Sequence, residues 1–344
     1  MKKTVNFILI IFFIFLATVV IFLFSADWQF NSVKRLESGY LWQRAEEKYQ
    51  LAISLDPFNA QYFAGYGDFL RNKSVYQKDR TDWLMSAEKL YAHALRLNPY
   101  SADYALNSGI TKLQLFLLDK DKFKNRLYSG LNDLKRAVKN DPNGSDTNYT
   151  AGCTGILIWN DLHAPDKEWV LSVLKQNLKT MPENEEYIYS QLWKIAKDYS
   201  ALRKIRPIES AQEKKEKLKR IEKIRQGNSG QAWQGKSKDG VNVYENGNMY
   251  WTGTVDMLIN LPNAKSTIKI QAKGSPTDDI WPHMIVELDG EEIGEIFVES
   301  PEWKEYVFQV DTKGGGKVLS VTFANDGGNA KEDRNLYLGD VSIE

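Results

Sequence analysis

Hydrophobic positions divide the chain into three stretches with different periodicities. Residues 7–24 form an apolar run that only Thr18 interrupts. Across residues 27–225 apolar positions recur at the spacing of a helix face. From residue 231 onward they alternate with polar positions in short segments bounded by Gly, Asn and Asp. The pattern predicts a membrane-length helix, then an all-α region, then an all-β region.

The apolar run is predicted to be a single-pass transmembrane helix. Its 18 residues, at about 1.5 Å each, span about 27 Å, close to the thickness of a bilayer's hydrocarbon core. Lys2 and Lys3 precede the run and the next basic residue is Lys34, so the positive-inside rule places the N-terminus in the cytoplasm. We expect an anchor in a bacterial inner membrane with the bulk of the chain periplasmic. A cleaved signal peptide is the alternative, although Phe24-Ser25-Ala26 is a poor cleavage site.

The helical region contains a repeated pattern of small, aromatic and proline residues. Ala-x3-Tyr-x2-Ala-x4-Pro occurs from Ala45 to Pro57 and again from Ala87 to Pro99. Weaker copies follow from Gly130 to Pro142 and from Val170 to Pro182. These positions resemble the second helix and terminal proline of tetratricopeptide repeats. The resemblance implies a helical solenoid for protein–protein contact, with longer loops or helices because successive copies lie 40 to 43 residues apart.

A further helix is predicted at 187–200, where it would end the array. A charged helix and a Gly-Asn-Ser-Gly linker are predicted to follow before the β region. The predicted domains are therefore a cytoplasmic tip and anchor (1–26), helical repeats (27–202), a charged helix and linker (203–230) and a β domain (231–344). Seven or more short strands without an intervening helix predict a two-sheet antiparallel sandwich of the jelly-roll type.

A loop near the C-terminus is rich in oxygen donors. It lies between an alternating strand and the closing strand, and carries Asn325, Asp326, Asn329, Glu332, Asp333 and Asn335. Ca²⁺ binds six to eight oxygens from carboxylates, amides and carbonyl groups, so the loop is a candidate calcium site. The alternative is that Asn, Asp and Gly are ordinary loop residues.

The order of motifs WPHMIVELDG, WKEYVFQV, VTFAND and DRNLYLGDVSI resembles the calcium-dependent, xylan-binding carbohydrate-binding modules of family 60 and their family 36 relatives. The resemblance covers about residues 232–344. It implies a β-sandwich in which a Ca²⁺ coordinates sugar hydroxyls directly. The positions that it places near the ion are Asp278 or Asp279, Asn325, Asp326, Asp333 and Asn335.

Two aromatic residues adjoin these positions and are candidate platforms for a sugar ring. Trp281 follows the paired aspartates and Tyr337 follows the DRNL segment, although either side chain could equally belong to the core. Arg334 is predicted either to contact sugar or to pair with Asp333. Trp303, in a Trp-x-x-Tyr strand, is predicted to be structural.

Charge is unevenly distributed along a chain whose formal net charge is zero. From residue 240 onward 18 acidic residues face 8 basic ones, whereas residues 203–225 carry 10 basic and 4 acidic residues. The basic run lacks interleaved aromatics, which disfavours a nucleic-acid site. The single cysteine, Cys153, excludes an intrachain disulfide, and isolated histidines disfavour a histidine metal site.

Together these features predict a membrane-anchored, non-catalytic protein that binds polysaccharide through Ca²⁺ and recruits a protein partner through its repeats. Assembly or export of a surface polysaccharide is a setting that suits this pairing of domains. The first alternative is a protein–protein scaffold whose sandwich binds no sugar. The second is a glycan-active enzyme, which would need two carboxylates flanking one glycosidic bond.

Overall fold

The structure, a computed structural model, describes residues 2–197, 199–206, 211–226, 233–237, 243–245, 247–262, 265–329 and 331–344. It forms two compact units, Met1–Asn177 and Leu178–Glu344. The first unit is helical and the second combines three helices with a β-sandwich. The predicted fold class, an N-terminal apolar helix, a tetratricopeptide-like solenoid and a C-terminal sandwich, is confirmed.

Antiparallel helix pairs build the first unit. The helices are α1 (Lys2–Ser38), α2 (Trp42–Leu55), α3 (Ala60–Ser74), α4 (Thr81–Leu97), α5 (Ala102–Leu118), α6 (Lys124–Asn140), α7 (Ser145–Leu157) and α8 (Ala164–Thr180), with a 3₁₀ turn at Trp159–Asp161. Helix α8 crosses the boundary between the units. Residues 75–80 connect α3 to α4, and residues 119–123 connect α5 to α6.

The sequence repeat coincides with the even-numbered helices. Each copy lies in α2, α4, α6 or α8, and the small, aromatic and aliphatic positions of all four copies are buried. The buried positions are Ala45, Tyr49, Ala52, Ala87, Tyr91, Ala94, Gly130, Leu134, Ala137, Val170, Leu174 and Asn177. The prolines follow the helix ends, where a missing N–H costs nothing to the helix. In the fourth copy, Asn177 replaces the small residue of the pattern. Its buried side chain donates a hydrogen bond to the Ser145 carbonyl at 3.0 Å.

Close contact between α5 and α6 depends on two glycines. A Cβ on Gly130 would lie 2.8 Å from Cγ of Leu113 and 3.0 Å from the carbonyl oxygen of Gly109. Gly130→Ala is therefore expected to destabilise the array by about 1–3 kcal/mol through overpacking, as measured by chemical unfolding. Without this contact, alanine would stabilise the helix by about 1 kcal/mol, so a stabilised variant would contradict the account. Gly316→Ala, whose Cβ would meet no heavy atom within 4 Å, is the control.

The apolar N-terminal segment does not end where the repeats begin. Helix α1 is continuous, and its Leu9–Ser38 portion is long and apolar enough to cross a membrane. Ala26 is buried against Ala52 and Tyr62, and the Phe30 ring packs on Tyr62 with centroids 4.9 Å apart. The C-terminal part of α1 is thus the first helix of the first repeat, and the predicted start of the repeats at residue 27 falls within one continuous helix.

The second unit begins with three helices, α9 (Glu185–Ala196), α10 (Tyr199–Ile205) and α11 (Ala211–Gln226). Its strands are β1 (Gln234–Ser237), β2 (Val243–Glu245), β3 (Asn248–Met249), β4 (Gly253–Leu261), β5 (Lys265–Ser275), β6 (His283–Leu288), β7 (Glu291–Phe297), β8 (Lys304–Asp311), β9 (Gly315–Phe323), β10 (Gly327–Gly328) and β11 (Asp333–Ile343).

These strands form two antiparallel sheets that pack face to face. Sheet 1 has the order β2-β1-β4-β9-β6-β7, and sheet 2 has the order β10-β11-β5-β8 with β3 also paired to β11. Alternate side chains of both sheets point inward, as the period-2 pattern predicts. The core between the sheets includes Val255, Met257, Ile268, Ile270, Val286, Val321, Phe323, Leu336 and Leu338.

The outer face of sheet 1 is acidic and is covered by basic helices. Asp256, Glu287 and Glu292 lie in one row across the sheet, through the registers that join β4, β9, β6 and β7. Their partners come from α11 and from the end of α10, and the ion pairs are Arg220–Asp256, Lys217–Glu287, Arg203–Glu292 and Arg206–Glu292. Basic residues of the segment 203–225 therefore pair with acidic residues of the sandwich within this unit.

This packing divides the chain differently from the predicted domains. Helices α9 to α11 belong to the compact unit of the sandwich, which starts at Leu178 and not at residue 203 or 231. The physical reason is that Asp256, Glu287 and Glu292 can be buried only when cations neutralise them. The basic residues of α10 and α11 supply these cations. The predicted linker at 227–230 lies outside the described residues.

Candidate metal and glycan site

A tight turn presents the two adjacent aspartates at one end of the sandwich. Asp278 and Asp279 both have a left-handed backbone, with φ of 51° and 60°. Thr277 and Ile280 flank them and exchange two backbone hydrogen bonds of 3.0 and 2.9 Å. Two central residues with positive φ define the hairpin turn in which Asp and Asn are tolerated. Both carboxylates are exposed at the tip.

Asp278 is the aspartate that joins the C-terminal loop. Its Oδ1 accepts a hydrogen bond from Nδ2 of Asn329 at 3.1 Å, and its N–H donates to Oε2 of Glu332 at 3.0 Å. Asn329 Oδ1 in turn accepts from the backbone N–H of Glu332 at 2.9 Å. Asn329 and Glu332 were among the oxygen donors noted in the loop, but the predicted ligand set did not include them. We call Asp278, Asn329, Glu332, Asp333 and Asn335 the oxygen loop.

Arg334 lies beneath this loop and has a place that the sequence did not predict. Its side chain is 2% exposed and donates to three backbone carbonyl groups. Nε donates to Ile280 at 2.8 Å, Nη1 to Asn325 at 2.6 Å and Nη2 to Thr277 at 3.2 Å. A buried guanidinium in this position fixes the aspartate turn to strand β11 and is closed off from a surface-bound sugar.

Asn325 and Asp326 occupy the neighbouring loop. The buried Asn325 side chain accepts from the N–H of His283 and donates to the carbonyl of Trp281, so its amide bridges backbone groups and does not face the oxygen loop. This differs from the predicted ligand role and follows from burial, which requires both ends of an amide to be satisfied. Asp326 is half-buried, and its N–H donates to Oγ1 of Thr252 at 3.3 Å.

Asp333 and Asn335 lie on the outer face of β11. The Asp333 carbonyl accepts from Oγ of Ser275 at 2.7 Å, and Asn335 Nδ2 donates to that carbonyl at 3.3 Å. Asn335 is 8% exposed, and its buried Oδ1 has no hydrogen-bond partner among the residues that the structure describes. A buried acceptor without a donor costs about 1–3 kcal/mol, so this oxygen is suited to a cation or to a donating ligand.

The donor chemistry fits a hard cation such as Ca²⁺. The oxygen loop offers carboxylates and amides, and the unsatisfied Asn335 oxygen is an acceptor of the kind that Ca²⁺ binds. Within the described part of the chain, however, three or more His, Cys, Asp or Glu side chains are nowhere grouped to hold a metal. The amide and backbone oxygens would therefore have to supply much of the coordination.

The predicted aromatic platforms lie in different surroundings. Trp281 is half-buried and its carbonyl is used by Asn325. Tyr337 is on the outer face of β11, opposite Lys273 of β5, and its ring meets that of Tyr250 edge-on at 5.8 Å. Burial raises the pKa of the Tyr337 hydroxyl, with smaller contributions from Tyr250 and Asp333, so the hydroxyl stays protonated at neutral pH.

Trp303, which is predicted to be structural, lies close to Gly339. The side chain is 48% exposed on the outer face of sheet 2. Sequence reasoning also passed over Lys273 and Tyr250, which lie on that face. The signal that could have found them is the alternation of outward positions, once β3, β11, β5 and β8 are known to be neighbours.

On the outer face of sheet 1, His283 is fully buried. Its Nε2 lies 3.0 Å from Oε2 of Glu295, and its ring stacks on Phe297 with centroids 4.6 Å apart. Burial, and then the Arg206 guanidinium, lowers the pKa of His283 to about 3. Glu295 also pairs with Arg206, so its carboxylate is already neutralised and does not favour a second cation. The imidazole is therefore neutral in the folded protein.

This neutral imidazole predicts a loss of stability in acid. The unfolded histidine has a pKa of about 6.5, so between pH 6.5 and about 3 the unfolded state binds one more proton than the folded state. The contribution is fully present above pH 6.5 and declines as the pH falls, reaching a loss of about 2–3 kcal/mol at pH 4.5. Between pH 7 and pH 4.5, the unfolding free energy of the wild-type protein should fall by this amount more than that of His283→Gln. Equal pH dependence in both proteins would contradict it.

Comparisons with known proteins find similarity in both parts of the chain. Residues 267–344 match the model of the family described as a Ca-dependent, xylan-binding carbohydrate-binding module, CBM60. A crystal structure of a family 36 module in complex with calcium and xylotriose has 13% identity and a TM-score of 0.22, covering 32% of this chain and 87% of that one. A family 36 domain of a xylanase from the hindgut metagenome of Trinervitermes trinervoides has 14% identity and a TM-score of 0.23, covering 34% and 87%.

The helical part is similar to tetratricopeptide-repeat proteins. YrrB, described as having an unusual peptide-binding site, has 18% identity and a TM-score of 0.38, covering 52% of this chain and 79% of that one. Comparison with curated proteins finds no match. The match of residues 267–344 to the family 60 model confirms the predicted resemblance for that segment.

Proposed function

We propose that this chain is a membrane-anchored, non-catalytic protein whose sandwich binds polysaccharide through Ca²⁺. The observation that carries the proposal is the buried, unsatisfied Oδ1 of Asn335 beside Asp333 and the loop that holds Asp278. It lies in the segment that matches a calcium-dependent, xylan-binding family. Asp278, Glu332, Asp333 and Asn335 would hold the ion, with Asp279 and Asp326 adjacent. The bound ion would supply a coordination site for sugar hydroxyls.

Retention on immobilised xylan tests this function. The full chain in detergent should be retained in the presence of Ca²⁺, released by EGTA and retained again when Ca²⁺ is restored. Indifference to both xylan and Ca²⁺ would favour the alternative, a scaffold whose sandwich contacts protein. Retention that EGTA does not affect would mean that sugar binds without the ion.

We propose that the apolar segment is retained as an anchor. Cleavage after Ala26 would separate a residue that packs in the first repeat from Asp27, whose carboxylate accepts a hydrogen bond from the Tyr62 hydroxyl. An anchor that continues into the array keeps both contacts. The orientation in this proposal is the predicted one, with a cytoplasmic N-terminus, a bacterial inner membrane and a periplasmic body.

Intact mass and N-terminal sequencing of the protein purified from membranes test the anchor. Residues 1–26 should be present, and the protein should stay in the membrane fraction after alkaline extraction. A mature N-terminus at or near residue 27 in the soluble fraction would contradict this proposal and leave the glycan proposal intact.

The helical array is proposed to recruit a protein partner. Its four helix pairs form a repeat solenoid, an architecture whose stacked helices offer an extended surface for another chain. An array at the membrane joined to a polysaccharide-binding sandwich would suit assembly or export of a surface polysaccharide. Crosslinking in cells that make such a polymer, followed by mass spectrometry, should recover one partner that deletion of residues 42–157 removes.

A further inference from the structure

The two outer faces of the sandwich differ in what covers them. Helices α10 and α11 cover sheet 1 with ion pairs, whereas sheet 2 carries large aromatic side chains on its outer face. Trp303 is 48% exposed and Tyr250 is 41% exposed. Aromatic rings grouped on a surface mark a binding site, and their flat apolar faces suit the apolar faces of sugar rings.

A lysine lies between two of these rings. Lys273 is directly opposite Tyr337 in the β5–β11 register, and its Nζ is 5.0 Å from the Trp303 ring and 5.4 Å from the Tyr337 ring. Trp303 is seated over Gly339, where a Cβ would come within 3.2 Å of the indole. We call Tyr250, Tyr337, Lys273 and Trp303 the aromatic row.

Lys273 has no carboxylate partner in the described part of the chain. Among the residues that the structure describes, no Asp or Glu lies within ion-pair distance of its ammonium group, which lies over the two rings. Lys269 lies four residues earlier on the same face of β5 and pairs with Glu344 at 2.5 Å. A cation held between aromatic faces and lacking a counter-ion is placed to receive an anionic group from a ligand.

The aromatic row is continuous with the oxygen loop. Asp333, Asn335 and Tyr337 are successive outward residues of β11, and such residues are about 7 Å apart. The distance along the strand from Asp333 to Tyr337 is therefore about 13 Å. One polysaccharide chain could contact the loop and the row at the same time.

We propose that the aromatic row is an additional glycan subsite, selective for polysaccharide that carries carboxylate groups, such as uronic acid substituents. Trp303 and Tyr337 stack on sugar rings, and Lys273 binds the carboxylate between them. This inference rests on the proposed function and adds the class of glycan to it. A neutral polysaccharide would use the rings but not the lysine.

The test compares a glucuronic-acid-substituted xylan with the same xylan after chemical reduction of its carboxyl groups. Affinity electrophoresis of the full chain in detergent, in Ca²⁺ and low salt, measures both dissociation constants. The wild-type protein should bind the acidic form about fivefold more tightly, and salt should reduce this preference. Lys273→Gln should remove the preference, so that its dissociation constants for the two forms become equal.

Three further variants sharpen the result. Lys273→Arg should keep the preference, Trp303→Ala should weaken binding of both forms, and Lys265→Gln, at the exposed start of the same strand, should change neither. Equal binding of the two xylans by the wild-type protein, or an unchanged preference in Lys273→Gln, would overturn the inference and leave calcium-dependent binding standing. Absence of binding to either xylan in Ca²⁺ would overturn both proposals.

Discussion

Asp333→Ala is expected to abolish calcium-dependent retention on xylan while leaving the sandwich folded. The Asp333 side chain is exposed, and the hydrogen bonds of this residue to Ser275 and Asn335 use its backbone carbonyl, which alanine keeps. Removing one carboxylate from a calcium site lowers the affinity for the ion on the order of 100-fold, because the number of charged ligands sets that affinity. Retention on xylan and the thermal unfolding midpoint are the two measurements.

Asp311→Ala is the matched control. Asp311 is an exposed carboxylate at the end of β8, far along the sheet from the oxygen loop, and its removal should change neither retention nor stability. Full retention by Asp333→Ala would exclude Asp333 as a ligand. Loss of the fold in this variant would mean that the carboxylate stabilises the sandwich itself.

Arg334→Met is expected to destabilise the sandwich by about 3–5 kcal/mol. The guanidinium donates to the carbonyl groups of Thr277, Ile280 and Asn325, and methionine would fill the space while leaving these three acceptors without their donor. Arg334→Lys should recover only part of the loss, since an ammonium group cannot reproduce the planar fork. Chemical unfolding of the full chain, followed at the transition of the sandwich, gives the free energies.

Arg225→Met provides the comparison for a less buried arginine. Arg225 pairs with Asp289 at 2.7 Å but is 41% exposed, so its removal should cost about 1 kcal/mol or less. An equally small effect of Arg334→Met would contradict the structural role of the buried guanidinium. If Arg334→Met unfolds the aspartate turn, calcium-dependent binding should be lost together with it.

Much of the fold was predictable from periodicity. The repeat of Ala45, Tyr49 and Ala52 identified buried helix positions without a structure, because close helix packing needs a small residue at a fixed spacing. The continuity of α1 was less visible in the sequence. Hydropathy falls near residue 26, yet the same helix continues beyond it, and Phe30 packs on Tyr62 of the array.

The candidate site was only partly predictable. The loop around Asp333 was identified by composition, because oxygen-rich loops are visible in a sequence. Asp278 was placed near the ion only by the resemblance to family 60 and 36 modules. Arg334 was misplaced because its partners are backbone carbonyl groups, which leave no trace in side-chain identity. Lys273 and Trp303 become neighbours only through the pairing of strands that are distant in sequence.

The two covering helices, α10 and α11, show a further limit of sequence reasoning. The basic residues of 203–225 and the acidic residues after 240 were both counted, but their pairing depends on the register that aligns Asp256 with Glu287 and Glu292. A charge count alone does not reveal which acidic residues pair with which basic ones. The structure uses these acidic residues to hold α10 and α11.

The most direct test of the central claim is calorimetric titration of the full chain with Ca²⁺, with and without a xylo-oligosaccharide. If the ion contacts the sugar, each ligand must strengthen the binding of the other by the same factor. We predict that the oligosaccharide raises the affinity for Ca²⁺ about tenfold, and that Ca²⁺ raises the affinity for the oligosaccharide equally. Calcium binding that is independent of sugar would contradict the account.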